Sequence, residues 1–599
     1  MGDSSRNSNA IESTRSGRHG RIGELIVLFF ASVIFLGCIV SPPSLMDDVD
    51  AVQAQIARTM LESGDWVTAR LDGIAYLEKS PLKYWMMAVS FAIFGVHDWA
   101  ARLPLALAVV ALCWLTYRFG VWALGREAGF YAGLALSTCI GLFLFTRVQI
   151  PDATLTLSVT LALYSLARAL DDEESRPALW AYAMWAAIGT GLLLKGLIAA
   201  LFPAGAGLLY LFFVRGDWRR LRPFTGAALL LAIAAPWHIL ATLRNPPYFD
   251  FTMHSEAGSY RGFFWFYFIN EHLLRFLNLR YPRDYNTVPR VYFWAFHLLW
   301  LFPWSAYLAS AFQGKFRGAD RASRARLLAL CWTGFVLVFF TFSTTQEYYS
   351  MPCYPALALL IGAGIAGDGK PVIYGTRAIG AVSTLGFLAA TGILAAVRGV
   401  PAPGDISAAL TQNPDLYTLS LGHMTDLTLH SFAYLRLPLA VAAAAFLIGA
   451  LSGWLAGPKK AVLGIAVMMA LFFHAARLAL VSFDPYLGSR PLAAALNAAP
   501  PGRLIVDDQY YAFSSIFFYT NREALLLNGR VNNLVYGSYA PGAPDVFLDD
   551  AGFSRMWKGV ERCYLVAAAP EAARFEKLVG KESLHVTLES GGKFLFCNR

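Results

Sequence analysis

Charge is scarce in this sequence. Of its 599 residues only 15% are Asp, Glu, Lys or Arg, against 57% hydrophobic, and the mean hydropathy is +0.48. Soluble domains carry roughly a quarter charged residues, so bulk water is the wrong solvent for most of this chain. Cysteine is scarce as well. The seven present have neither metal-finger spacing nor the density of a disulfide framework. Cys563 and Cys597 share a late, less apolar region. The sequence leaves open whether they pair there, if it is extracytoplasmic, or stay as two separate thiols. No segment repeats at a fixed period, which weakens the alternative of a transporter or flippase built from inverted halves. The net charge of +9 does not signal nucleic acid, because Lys and Arg lie between apolar runs rather than along one basic stripe.

Long apolar runs are what the chain has in abundance. A membrane span takes about 20 mostly apolar residues, and scanning for such runs gives about thirteen. They fall near 23–41, 99–123, 127–145, 153–170, 178–194, 197–214, 222–243, 288–312, 326–342, 352–366, 375–397, 434–456 and 460–482. The first run, Ile22 to Val40, is too long for a signal-peptide core and lacks an A-x-A site, so it reads as a retained span. Residues 1–20 read as a disordered tail. The short basic loops set the orientation. Arg6, Arg15, Arg18 and Arg21, then Arg215, Arg219, Arg220 and Arg222, then Lys315, Arg317, Arg321, Arg324 and Arg326 share one side, with Lys370, Arg377, Lys459 and Lys460. By the positive-inside rule that side is cytoplasmic. The predicted fold class is a multi-span α-helical membrane protein with a transmembrane domain over 21–485 and a small extracytoplasmic α/β domain over 486–599.

Four longer segments then lie outside: 42–98, 244–287, 398–433 and 483–599. The first predicts an amphipathic helix with Val52, Ile56, Met60 and Leu61 on one side and a turn at Ser63-Gly64-Asp65; such helices lie in the membrane interface. The second holds Phe263-Phe264-Trp265-Phe266-Tyr267-Phe268, expected as an interfacial aromatic belt. The last alternates β-type runs, Arg503 to Val506, Ala524 to Leu527, Cys563 to Ala567 and Lys593 to Cys597, with polar turns.

Charged groups near a membrane are costly and therefore functional candidates. Under this threading they collect on the outer face: Asp47, Asp48 and Asp50 after the first span, Glu78-Lys79, Asp152, Lys195, Glu271, His272 and Arg275, and Tyr348-Tyr349. Each has a plain structural reading. Asp47 and Asp48 suit a helix cap, Asp152 follows Pro151 at a helix start, and Glu271 with Arg275 is an i, i+4 pair. Together they suit glycosyl transfer from a phosphate-linked donor. A carboxylate takes the proton of an acceptor hydroxyl, while Lys, Arg and Tyr stabilise the departing phosphate.

The first-loop sequence Asp47-Asp48-Val49-Asp50, with Ile56-Ala57-Arg58-Thr59-Met60 and Ser63-Gly64-Asp65-Trp66, resembles that of the polytopic GT-C type glycosyltransferases. Tyr76-Leu77-Glu78-Lys79-Ser80-Pro81-Leu82-Lys83-Tyr84-Trp85 is similar to their Tyr-Phe-Glu-Lys-Pro-Pro-Leu-x-Tyr-Trp motif, followed by Ala101-Arg102-Leu103-Pro104. Within that group the similarity is to the aminoarabinose transferases that modify lipid A and, more distantly, to the protein O-mannosyltransferases. Lys195-Gly196, Glu271-His272, Arg275-Phe276 and Tyr348-Tyr349 continue it.

The resemblance implies a multi-pass protein of the bacterial inner membrane and a polyprenyl (undecaprenyl) phosphate-sugar donor. The implied acceptor is an envelope lipid such as lipid A, a glycan or a protein. It puts the catalytic carboxylate on Asp48, with Asp47 and Asp50 as alternatives because Asp-Asp-Val-Asp replaces the usual Asp-Glu, and the second acidic site on Asp152. Lys79, Arg275, Tyr348 or Tyr349, with Arg58 and Lys195, match the lipid-phosphate-binding group. It assigns no certain cofactor. Glu78 and His272 match positions that hold a divalent metal, Zn2+ or Mg2+, in the aminoarabinose transferases. Ser80 replaces the first Pro of the motif.

Overall fold

The computed structural model describes residues 21–283, 287–411 and 421–599; the tail over 1–20, including Arg6, Arg15 and Arg18, lies outside them. Eight helices among the described residues are long and apolar enough to cross a membrane. They are Asp98–Leu124, Pro177–Lys195, Trp218–Arg244, Arg321–Phe342, Glu347–Ala366, Lys370–Ala396, Arg436–Leu455 and Pro458–Leu487. The protein is thus a multi-span helical membrane protein. Several of the remaining apolar runs are shorter or broken. The run at 127–145 divides into Arg126–Ser137 and Ile140–Phe145, and that at 288–312 into short turns from Arg290–Ala295 to Leu308–Ala311. Pro303 supplies no N–H and breaks the second. The Phe302 carbonyl accepts from the Ile140 N–H at 3.1 Å, so the two interruptions brace each other.

The helix Val49–Ser63 forms where its periodicity predicts it. It stops at Gly64, whose φ of 72° lets its N–H close on the Met60 carbonyl. Its apolar side does not face lipid, however. Ala51, Val52, Ile56, Ala57 and Met60 are buried in one cluster with Ile516, Phe517 and Phe518 of the C-terminal region. The aromatic segment departs from expectation in the same way. Phe263, Trp265, Phe266 and Tyr267 are all buried, and Phe266 stacks on Tyr536 with ring centroids 4.1 Å apart. Both stretches are internal packing surfaces between the helical body and the C-terminal region.

That region is built on six strands. After a small hairpin, β1 (Arg70–Leu71) with β2 (Ile74–Ala75), come β3 (Arg503–Asp507), β4 (Leu525–Leu527), β5 (Phe547–Leu548), β6 (Cys563–Ala568), β7 (His585–Ser590) and β8 (Lys593–Cys597). The order is β5-β4-β3-β6-β8-β7. The first four are parallel and the last two antiparallel. One face, with Leu504, Val506, Tyr564 and Leu595, packs toward the first loop. The other, with Ile505, Leu565 and Phe596, packs on Phe553 and Phe575. The two cysteines do not meet. Cys597 is in register with Tyr564, so Cys563, one residue on, points to the opposite face. Both are free thiols.

Candidate active site

Four segments far apart in sequence supply the site: the turn before Val49–Ser63, the loop leading into the helix Leu82–Phe94, the wide-turned helix Trp265–Leu274 and the turn Glu347–Cys353. At its centre lie two buried carboxylates, Glu78 and Glu271. Arg280, whose side chain is fully buried, bridges them: one nitrogen lies 3.0 Å from Glu78 and its Nε contacts Glu271. Arg275 lies 2.8 Å from Glu271 and donates to the Tyr349 hydroxyl at 3.1 Å. Lys79, partly exposed, sits 3.2 Å from Glu78 and 4.0 Å from Glu271. The Tyr76 hydroxyl donates to Glu78 at 3.1 Å and meets the Tyr511 hydroxyl at 2.9 Å. Burial alone would raise the Glu271 carboxyl, but Arg280, Arg275 and Lys79 together hold it well below the usual carboxylate range.

A second pair stands beside this network. Asp152, in the first turn of the helix Asp152–Ala169, is ion-paired with Lys195 at 2.5 Å. The Lys195 ammonium also lies 4.8 Å from the Tyr349 ring centre and 5.6 Å from that of Tyr348. Tyr348 is within electrostatic reach of Tyr349, Asp152, Arg275 and Asp48. Gly196 explains its place after Lys195. Its φ is +74°, and a Cβ there would lie 2.2 Å from His272 Nε2, which only glycine avoids.

The three aspartates of the first loop separate cleanly. Asp47 pairs with Lys593 at 2.7 Å and accepts from Ser489 and Ser515; it joins the loop to the C-terminal sheet. Asp50 is buried, receives the Met46 N–H and pairs with Arg102 at 3.3 Å. Burial nonetheless raises its carboxyl above the usual range. Asp48 makes no capping hydrogen bond to the helix it precedes and no ion pair among the described residues. Its backbone is held at φ 67°, a conformation costing about 1–3 kcal/mol for a residue with a Cβ. The Tyr511 carbonyl, accepting its N–H at 2.8 Å, and the Ser514 hydroxyl, donating to its carbonyl at 2.9 Å, fix it there. The side chain keeps solvent-accessible surface inside crowded walls. That crowding, with the Asp47 charge next door, pushes its carboxyl up to about 6.

Arg58 is elsewhere: it pairs with Glu62 at 2.7 Å and donates to the Phe518 carbonyl at 2.8 Å. Its place in the phosphate group is therefore corrected to a helix-surface contact with the C-terminal region. The metal positions do not fit a metal centre. Glu78 is saturated by Arg280, Lys79 and Tyr76. His272 lies with Nδ1 2.5 Å from the Tyr267 carbonyl and Nε2 3.1 Å from the donating Leu197 N–H, so its free lone pair is taken and burial keeps it neutral. Among the described residues no three His, Cys, Asp or Glu side chains gather as a metal would need.

The sequence does not disclose Arg280 or Tyr511, and Tyr76 opens the first-loop motif without a role assigned to it. Arg280 follows Glu271 by nine residues through a non-periodic turn, and Tyr511 comes from the C-terminal region, so no spacing announces either.

With this geometry in view, the chain is placed by fold first. It superposes on the crystal structure of ArnT from Cupriavidus metallidurans bound to undecaprenyl phosphate with a TM-score of 0.78 at 22% identity, covering 96% of this chain and 98% of that one. The apo form of that protein gives 0.73. The chain therefore has the fold of that protein.

By sequence it is similar to a narrower set of proteins. Residues 78–240 match the dolichyl-phosphate-mannose-protein mannosyltransferase family. The undecaprenyl phosphate-alpha-4-amino-4-deoxy-L-arabinose arabinosyl transferase of Aeromonas salmonicida is 29% identical over 316 residues, 52% of this chain and 54% of that one. A Pseudomonas fluorescens transferase of the same description is 31% identical over 328 residues, 52% of this chain and 51% of that one. The chain spans about half the length of the curated relatives it matches.

Proposed function

We propose that this protein is a glycosyltransferase that moves a sugar from a polyprenyl-phosphate donor to an acceptor on the outer face of the membrane. The carrying observation is Asp48: a carboxylate without an ion pair among the described residues, within electrostatic reach of Tyr348, which is likewise within reach of Asp152 and Arg275. An acceptor hydroxyl attacks the anomeric carbon as its proton passes to Asp48, and the bond from that carbon to the phosphate oxygen breaks. The polyprenyl phosphate leaves with the electron pair and the anomeric configuration inverts. Lys79, Arg275 and Tyr349 face the negative charge that grows on the departing oxygen, and Lys195 orients Asp152. With an acceptor that is already ionised, such as a lipid phosphate, Asp48 orients the attacking oxygen instead.

The relatives' names point to undecaprenyl phosphate carrying a 4-amino-pentose as the donor class, and the family resemblance points to lipid A as acceptor. The same reading threads the chain about thirteen times through a bacterial inner membrane, N-terminus inside, with the site and residues 486–599 outside. No metal enters this scheme. Transfer by the purified protein is expected to survive EDTA, and its complete loss on chelation with recovery on Zn2+ or Mg2+ would overturn that part. Transfer in detergent, where no second compartment exists, separates the enzyme from a flippase. If the lipid-linked sugar is bound but never consumed with any acceptor class, the proposal fails.

A further inference from the structure

Lys83 lies outside the group that the family resemblance marks. It occupies the variable position of the first-loop motif and sits in the first turn of the helix Leu82–Phe94. It is 6% exposed. Its Nζ contacts a neutral amide, Gln53 Oε1, lies 4.8 Å from the Tyr84 ring centre, and has no ion pair among the described residues. The groups that act on it electrostatically are Lys79, Asp152, Lys195 and Glu78, the same groups that make the site. Other charges on the neighbouring helices are ion-paired: Asp50 with Arg102, Arg58 with Glu62, Asp98 with Arg490. Lys83 also lines a cavity of about 20 Å3 with Gln149 and Thr154, room for about one water. A buried lysine within electrostatic reach of two other lysines and bonded to an amide contributes little to folding. Its position makes chemical sense when a further anion enters.

We propose that Lys83 is a phosphate-positioning residue of this site, which exchanges its Gln53 contact for a phosphate oxygen of the lipid-linked substrate. The inference rests on the proposed function and deepens it: three lysines, 79, 83 and 195, would surround a phosphate that two carboxylates alone would repel. Burial, and then Lys79, hold the Lys83 amine well below the usual ammonium range. A phosphate beside it would shift the amine back toward its charged form, so binding is expected to be linked to proton uptake, which a passive packing lysine would not show.

The experiment is titration calorimetry of the full-length protein with undecaprenyl phosphate, in buffers of different ionisation enthalpy at pH 7.5. Wild type is expected to bind with net proton uptake. Lys83→Met is expected to bind about tenfold or more weakly and to take up about one proton fewer. Lys83→Gln, which keeps a polar group against Gln53, is expected to lose the same. Variants that bind with wild-type affinity and proton count overturn the inference alone. Wild type that does not bind undecaprenyl phosphate overturns the functional reading beneath it.

Discussion

At the residue scale the site is decided by which charges are already spent. Asp47 and Asp50 carry structural pairs, Glu78 and Glu271 are paired with Arg280, and Asp48, with no ion pair among the described residues, is the carboxylate to which we assign the chemistry. Its carboxyl, pushed up by burial and Asp47 to about 6, gives the activity a pH signature. A base must be ionised, so transfer to a hydroxyl acceptor should fall as pH drops through about 6 and level off above it. A rate profile flat from pH 5 to 8 would contradict that role. Arg280 is the opposite kind of residue. Removing it leaves two buried carboxylates facing one another with only Lys79 and Arg275 to offset them, a loss of about 3–5 kcal/mol. Arg280→Ala should therefore lower the unfolding temperature in detergent before any question of catalysis arises. A variant as stable as wild type would show that the network carries no structural load.

At the element scale, periodicity announced the helices but not what covers them. The apolar side of Val49–Ser63 and the aromatic run at 263–268 both read as membrane-facing from sequence, because burial against lipid and burial against protein select the same residues. What separates the two is the partner, here Phe517, Phe518 and Tyr536, more than 250 residues downstream. The broken runs near 140 and 303 were legible only as apolar length. The hairpin β1–β2 adds a titratable contact to this joint. Asp72 at its turn accepts the Ala524 N–H at 3.2 Å, and burial, then the nearby Glu523 charge, push its carboxyl up to about 7. A folded-state value above the unfolded one means the folded form holds the proton more tightly. Stability is thus lost as pH rises from about 4 to about 7. Asp72→Asn should raise the unfolding temperature more at pH 8 than at pH 5, and an equal effect at both would show that Asp72 is not the titrating group.

At the scale of the whole molecule, the C-terminal sheet belongs to the site's construction. Tyr511 reaches Glu78 through Tyr76, its carbonyl holds the Asp48 backbone, and Lys593 anchors Asp47. The motifs over 47–85, the Lys195-Gly196 pair and the segments at 271–276 and 348–349 were readable because charge beside a membrane is conspicuous. Their support by Arg280, Tyr511 and Lys593 was not, since it arises only when distant segments fold together. Lys593→Ala should accordingly reduce transfer together with thermal stability, by freeing Asp47 and loosening the turn that presents Asp48. A variant that loses neither would detach the sheet from the site.

The most direct measurement is single-turnover release of undecaprenyl phosphate from an undecaprenyl-phosphate-linked aminopentose, with a hydroxyl-bearing acceptor present to take the sugar, by wild type and Asp48→Asn, with donor binding measured on the same preparations. The account predicts that both bind the donor alike while the variant releases product about 100-fold or more slowly; release at the wild-type rate by Asp48→Asn would contradict it.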